Sequence, residues 1–368
     1  MKNKSFVKIL FIISIVILLS GCTDFFNQTS SKIEYEKQAT KISYTITYGC
    51  NLNCNGNGKF RINYSCDTPE VLKGLITGIN VLNSEYTDRT NVATFNDLKS
   101  WNISKTGECS DYQFGISANV MSEISYVNDL NGEDALSIDE IKNNYPDLVY
   151  QYCRAQSNKT TIFIAPDNQD ISVRANLIYN SAKSNNSFIT AKELFRWLKQ
   201  NTDYETHSEN NDVQPASLTI NKKTGDCDDL TFLYLSLCKS LDIPSRFIRG
   251  YLISENSSVA HVWAEVFVGG NLGDGGWIPV ECAGNTKNKD EIDSEIHQNF
   301  GVETVDHLRL FKDDGSNESI SISLSGIYYM SDQNVNFGNP LFFADVSDYS
   351  VLKEENLVIN ENNYRTFS

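Results

Sequence analysis

Positive charge is in short supply in this chain. Thirty-one Lys and Arg face 47 Asp and Glu, which leaves a net charge of −16. That excludes nucleic acid as an expected partner, because phosphate binding needs concentrated Lys and Arg. An acidic balance of this kind serves solubility. Histidine is scarcer still, with four in 368 residues, so any histidine inside an apolar strand pattern has few rivals. After the N-terminal segment no apolar run is long enough to span a bilayer. Internal repeats are absent, and low complexity is limited to scattered Asn and Ser. Core-forming residues are plentiful. Hydrophobic content of 40% and aromatic content of 11% exclude a disordered chain, and the length accommodates about two domains.

The first residues read as an address. Lys2, Lys4 and Lys8 precede an apolar stretch from Ile9 to Leu19 that is broken only by Ser14. The stretch is short for a transmembrane helix of about 20 residues and right for a signal-peptide core. Leu19-Ser20-Gly21-Cys22 resembles a prokaryotic lipobox, in which cleavage leaves Cys22 as a lipidated N-terminus. Cleaved or retained as an anchor, the segment directs the rest of the chain out of the cytoplasm and ties it to the membrane.

Residues 23–40 are polar and read as a tether. Ile42 to Tyr48 and Lys59 to Tyr64 alternate as strands do, separated by the Gly-Asn-rich turn at Gly56-Asn57-Gly58. A β-rich module is therefore expected over 41–165, with a short helix from Ser137 to Asn144 that ends before Pro146. Thr190-Ala191-Lys192-Glu193 reads as a capping box at the start of a helix reaching Thr202. Residues 205–221 read as a polar loop. Leu230, Leu233, Tyr234, Leu237, Cys238 and Leu241 recur at helical spacing, so a helix is expected from Cys227 to Leu241, stopped by Pro244. Strands are expected at Phe247–Tyr251, His261–Val268 and Trp277–Cys282, with weaker alternation over 301–330.

Within this frame three residue types fall in a chemically suggestive order. Cys227, in Gly225-Asp226-Cys227-Asp228-Asp229, sits where a loop meets a helix, and unpaired N–H groups there favour a thiolate. The flanking carboxylates oppose that, since negative charge raises a thiol pKa. A basic partner is then required. His261 opens a strand in which His261, Trp263, Glu265 and Phe267 share one face and Val262, Ala264, Val266 and Val268 share the other, which reads as core. Glu281 ends the next strand. If a Gly-rich turn over 269–276 joins two antiparallel strands, Glu281 lies near His261 and can orient its ring. Cys, His and acid in that order make up a thiol nucleophile, its base and its orienter.

These residues carry a resemblance. The Gly225–Asp229 segment, Leu241-Asp242-Ile243-Pro244-Ser245-Arg246, Gly250-Tyr251, His261-Val262-Trp263-Ala264-Glu265-Val266 and Trp277-Ile278-Pro279-Val280-Glu281 occur in the order found in the transglutaminase-like superfamily. The resemblance covers about residues 190–285 and implies a papain-like α+β core with a Cys-His-Asp triad. Cys227 matches the nucleophile and His261 the base, and Glu281 falls where the family usually has Asp. The resemblance also implies a side chain that joins the Cys227 backbone N–H in an oxyanion hole, for which Tyr204 and Gln214 are the candidates. It implies attack on an amide carbonyl, release of an amine and a thioester on Cys227, resolved by water or by a second amine.

The expected layout is a signal segment with lipobox (1–22), a tether (23–40), the β-rich module (41–165), a transglutaminase-like domain (170–300) and a β-rich extension (301–368). Peptide or protein substrates and the membrane are the expected partners; no cofactor or metal is expected, and oligomeric state is left open. Nine cysteines leave seven once Cys22 and Cys227 are set aside. Outside the cytoplasm bridges are permitted, and pairing among Cys50, Cys54, Cys66, Cys109, Cys153 and Cys282 stays open, while Cys238 reads as a core thiol. Cys50 and Cys54 lack the matching second pair of a zinc site, and Asp228 with Asp229 supplies too few oxygens for calcium. The competing reading is a non-catalytic papain-like surface module that binds a peptide or an envelope strand.

Overall fold

The computed structural model describes residues 32–90, 96–154, 163–206, 213–284, 291–323 and 326–368. The signal segment with Cys22, and the first part of the tether, lie outside them. Among the described residues no helix is long and apolar enough to cross a membrane.

Among the described residues two large cores stand out, one β-rich and one mixed. In the strand Ile33–Leu52, Ile42, Tyr44, Ile46 and Tyr48 are buried while the residues between them are not. That period of two fits a sheet covered on one side. This strand is central in a five-stranded antiparallel sheet, flanked by Leu341–Ile359 and Tyr112–Glu123, with Arg365–Phe367 and Gly74–Val81 at the edges. A second sheet runs Tyr328–Ser331, Cys54–Asp67, Asp97–Glu108, Thr87–Thr90. The two share one apolar core around Trp101 and Phe114, and a disulfide joins Cys54 to Cys109.

The mixed core has a four-stranded antiparallel sheet ordered Trp277–Val280, Ser257–Phe267, Ser245–Ser254, His307–Lys312. Against it lies the helix Cys227–Lys239, whose residues from Asp229 onward are all buried. A helix apolar on every side must be enclosed. Here Gln169–Ala182, Ser187–Asn201 and Ala216–Lys222 enclose it. Arg365, fully buried, donates to the carbonyls of Val127, Gly301, Ile296 and Phe300 at 2.9–3.1 Å and so pins the C-terminus to this core.

Several sequence expectations shift. The first strand starts at Ile33, so residues 33–40 are sheet and not tether. The helix expected from Thr190 starts at Ser187, because the Asn186 side chain caps the Ile189 N–H; Thr190 instead donates its hydroxyl to the Asn186 carbonyl. The end of the expected loop at 205–221 is instead the helix Ala216–Lys222. The expected helix at 138–144 is present with a capping box at Ser137, but it and Pro146–Cys153 pack on Phe267 and Trp277 of the mixed core. The stretch 301–368 is no separate extension. His307–Lys312 completes the mixed sheet, and Leu341–Ile359 completes the five-stranded one.

Candidate active site

The turn before Cys227 is built around one buried carboxylate. Asp229 accepts from the Gln214 N–H at 2.7 Å and from the Asp226 N–H at 3.3 Å. Gly225 makes room for it, since a Cβ there would lie 2.6 Å from Asp229 Cβ. Two short strands then pair in parallel, setting Tyr204 opposite Gly225. The result is that Tyr204 lies beside Cys227 at the first turn of its helix.

The other two residues come from the sheet. Ala264 is opposite Val280 in the antiparallel pair Ser257–Phe267 and Trp277–Val280, so the hairpin brings the two ends together. His261 Nε2 donates to Glu281 Oε2 at 2.7 Å. The Ala283 N–H donates to Glu281 Oε1 at 2.7 Å. Cys227 lies close enough to the Val262 backbone, next to His261, and to Glu281 for both to act on its thiol. Cys227, His261, Glu281 and Tyr204 therefore converge. Gln214 does not join them as a donor. Its amide nitrogen donates to Thr219 Oγ1 at 3.0 Å and Thr224 O at 2.9 Å, which braces the turn and leaves no N–H for an oxyanion.

The structure adds a residue that the motifs do not contain. His307 Nε2 lies 3.1 Å from the same Glu281 Oε2, and its Nδ1 faces Thr304 Oγ1 at 2.9 Å and Asp306 Oδ1 at 3.2 Å. Trp263 stacks on His261 at 6.1 Å and meets His307 edge-on at 4.7 Å. The one sequence signal for His307 was its rarity as a histidine in a weakly alternating stretch. Glu265, read on the same face as His261, is fully buried between Arg246 and Arg309, and Arg309 also holds Glu303.

Electrostatics set the resting protonation. Burial, then Asp228, Asp226 and Glu281, push the Cys227 thiol up to about 12. Burial and the neighbouring Asp226 push Asp228 up to about 8. Tyr204 is pushed up to about 12 by burial and by Cys227, so its hydroxyl keeps its proton. Burial works against Glu281 ionising, but the hydrogen bonds from His261 and His307 outweigh it and hold the carboxyl well below its usual range. Burial likewise opposes a charged His307, yet Asp306 and Glu281 raise it to about 10.

Among the described residues, two groups bring three ligand atoms within 4.8 Å of one another: His261, Glu281 and His307, and Asp226, Cys227 and Asp228. Asp229 is committed to the turn, which removes it from a calcium reading, and Cys54 is committed to the disulfide. Cys50, Cys66, Cys153, Cys238 and Cys282 are buried free thiols, whereas Cys227 is half-buried.

A family model described as the transglutaminase-like superfamily matches residues 176–282. Among solved structures, a candidate cysteine protease from Cytophaga hutchinsonii is similar over 92% of this chain and 100% of that chain, at 12% identity and a TM-score of 0.52. The likeness is one of fold. The periplasmic domain of TgpA from Pseudomonas aeruginosa is a looser match, over 72% of this chain and 98% of that chain, at 10% identity and a TM-score of 0.34. No curated protein matches the sequence.

Proposed function

We propose, from the premise that residues 176–282 form a transglutaminase-like superfamily domain, that this protein is a cysteine hydrolase or acyltransferase of peptide or amide bonds, tethered outside the cytoplasm by lipid on Cys22. The observation that carries the reading is the 2.7 Å His261–Glu281 hydrogen bond beside a half-buried cysteine at a helix start.

The chemistry follows from the tautomer. With Nε2–H committed to Glu281, His261 presents unprotonated Nδ1 as the base. It takes the Cys227 proton as sulfur attacks the amide carbonyl, and the C=O electron pair becomes an oxyanion. The Cys227 backbone N–H and the Tyr204 hydroxyl are the donors for that charge. Collapse breaks the C–N bond, the amine leaves with the proton from His261, and a thioester remains. Water or a second amine, deprotonated by His261, then releases the acyl group.

The test is an irreversible peptidyl thiol probe, with the labelled residue identified by mass spectrometry. Labelling at Cys227 that is lost in His261→Ala supports the reading; labelling spread over other thiols, or indifferent to His261, overturns it. Incorporation of fatty acid that is lost in Cys22→Ser tests the anchor.

A second reading, a binding module, draws on a cleft of about 760 Å³ lined by Tyr64, Asp67, Arg249, Tyr328 and Phe342, none of them a triad residue. It expects partner capture that survives Cys227→Ala.

A further inference from the structure

We propose that His307 is a positioning residue of this site: it clamps the outer oxygen of Glu281 so that a glutamate can orient the His261 ring where the family resemblance implies an aspartate. The inference rests on the catalytic reading above.

A glutamate has one more rotatable bond than an aspartate, so its carboxylate needs more restraint to hold a ring in one orientation. Here both oxygens are tied. Oε1 receives the Ala283 N–H, and Oε2 receives both His261 and His307. His307 is itself fixed in place. Its strand pairs with Ser245–Ser254, with His307 opposite Leu252, and the Trp263 ring walls off both imidazoles.

The geometry also sets its charge. One ring nitrogen faces the Glu281 carboxylate and the other faces Asp306, with Thr304 beside it. Ionised carboxylates only accept hydrogen bonds, so a ring between two of them carries N–H on both nitrogens. The direction of the His307 pKa agrees. The groups facing His307 are Glu281, Asp306, Thr304, Trp263 and His261; beyond Asp306 stand Tyr44 and Tyr349 of the five-stranded sheet. An imidazolium whose ring centre lies 5.8 Å from that of His261 opposes a second positive charge there.

Because the substrate is unidentified, the probe is iodoacetamide, and the readout is the alkylation rate of Cys227, identified by its peptide, against pH. In His307→Gln, which keeps a donor and loses the charge, the acidic limb of the profile moves up by roughly one to two pH units. His307→Ala loses the donor as well and slows the plateau roughly 10- to 100-fold, and the Gln variant recovers most of that loss. Glu281→Gln, the control for the triad itself, displaces the limb downward. A displaced limb in Glu281→Gln with the wild-type limb in His307→Gln overturns the role of His307 alone. Unmoved limbs in both variants overturn the catalytic reading and this one together. Should the variants not fold, ring ¹⁵N spectra of the wild-type protein decide: a doubly protonated imidazole that persists to about pH 8.5 is expected, and its absence overturns the proposal.

Discussion

Replacing His261 by alanine should expose how poor a nucleophile Cys227 is by itself. Burial and three carboxylates take the thiol from 9.0 to about 12. Each pH unit is tenfold in thiolate, so between about pH 8, where Asp228 loses its proton, and the ordinary thiol value the shift removes about a thousandfold of the thiolate an ordinary cysteine would have, or roughly 4 kcal/mol. A neutral imidazole at hand compensates by accepting the proton in the complex that reacts. Wild-type protein should thus alkylate along a profile that rises through the titration of its base and then levels. His261→Ala should lose the level region, label up to about a thousandfold more slowly at neutral pH, and climb tenfold per pH unit to about pH 11. The assay is second-order alkylation by iodoacetamide under native conditions, with the Cys227 peptide quantified by mass spectrometry. A wild-type plateau already complete below about pH 5 would refute the reasoning, since it requires a preformed thiolate–imidazolium pair. So would a His261→Ala profile that overlays the wild type.

Other parts of the structure give independent expectations. Tyr204→Phe should lower the acyl-transfer rate about 100- to 1,000-fold with an unchanged fold, and an undiminished rate removes Tyr204 from the oxyanion hole. Glu265→Ala leaves Arg246 without its carboxylate in the interior and should cost about 3–5 kcal/mol, read from the urea midpoint; a cost below about 1 kcal/mol contradicts the buried network. Asp228 keeps a proton to about pH 8 when folded and releases it near 3.8 when unfolded. The stability this contributes is full below 3.8 and is lost as pH rises through 8, so Asp228→Asn should flatten that decline, and an unchanged slope refutes it. Removing the Cys54–Cys109 bridge, which closes a loop of 55 residues, should cost about 4 kcal/mol in denaturant titrations; a near-zero change means the unfolded chain gains little freedom.

What could be read from the sequence was local. The apolar spacing of Leu230, Leu233, Tyr234 and Leu237 announces an enclosed helix, and the Gly-rich turn at 269–276 announces the hairpin that delivers Glu281 to His261. Spacing along one helix or across one hairpin is a short-range property. His307 is 307 − 261 = 46 residues beyond His261, and its place follows from pairing with Ser245–Ser254, which no local pattern encodes. Gln214 looked available because its type suits an oxyanion hole, but the same amide suits a turn, and Thr219 and Thr224 take it. The boundaries at 41–165 and 301–368 failed for the reason His307 was missed. Ile33 pairs with Ile359, and hydrophobic alternation says that a strand has a partner without saying which.

That last pairing has a bearing on how the molecule comes into being. A ribosome adding about 5–20 residues per second delivers Ile33 well before Ile359, roughly 15–65 s earlier over 359 − 33 = 326 residues. Until then the central strand of its sheet lacks one neighbour. The strand bearing His307 is absent for most of the same interval, and the Arg365 clamp on Val127, Ile296, Phe300 and Gly301 arrives later still. A nascent or truncated chain holds Cys227, His261 and Glu281 in its sequence without the strand that steadies the acid or the arginine that caps the core. The segments at 307–312 and 365 are thus written into the architecture as a condition for assembling the site.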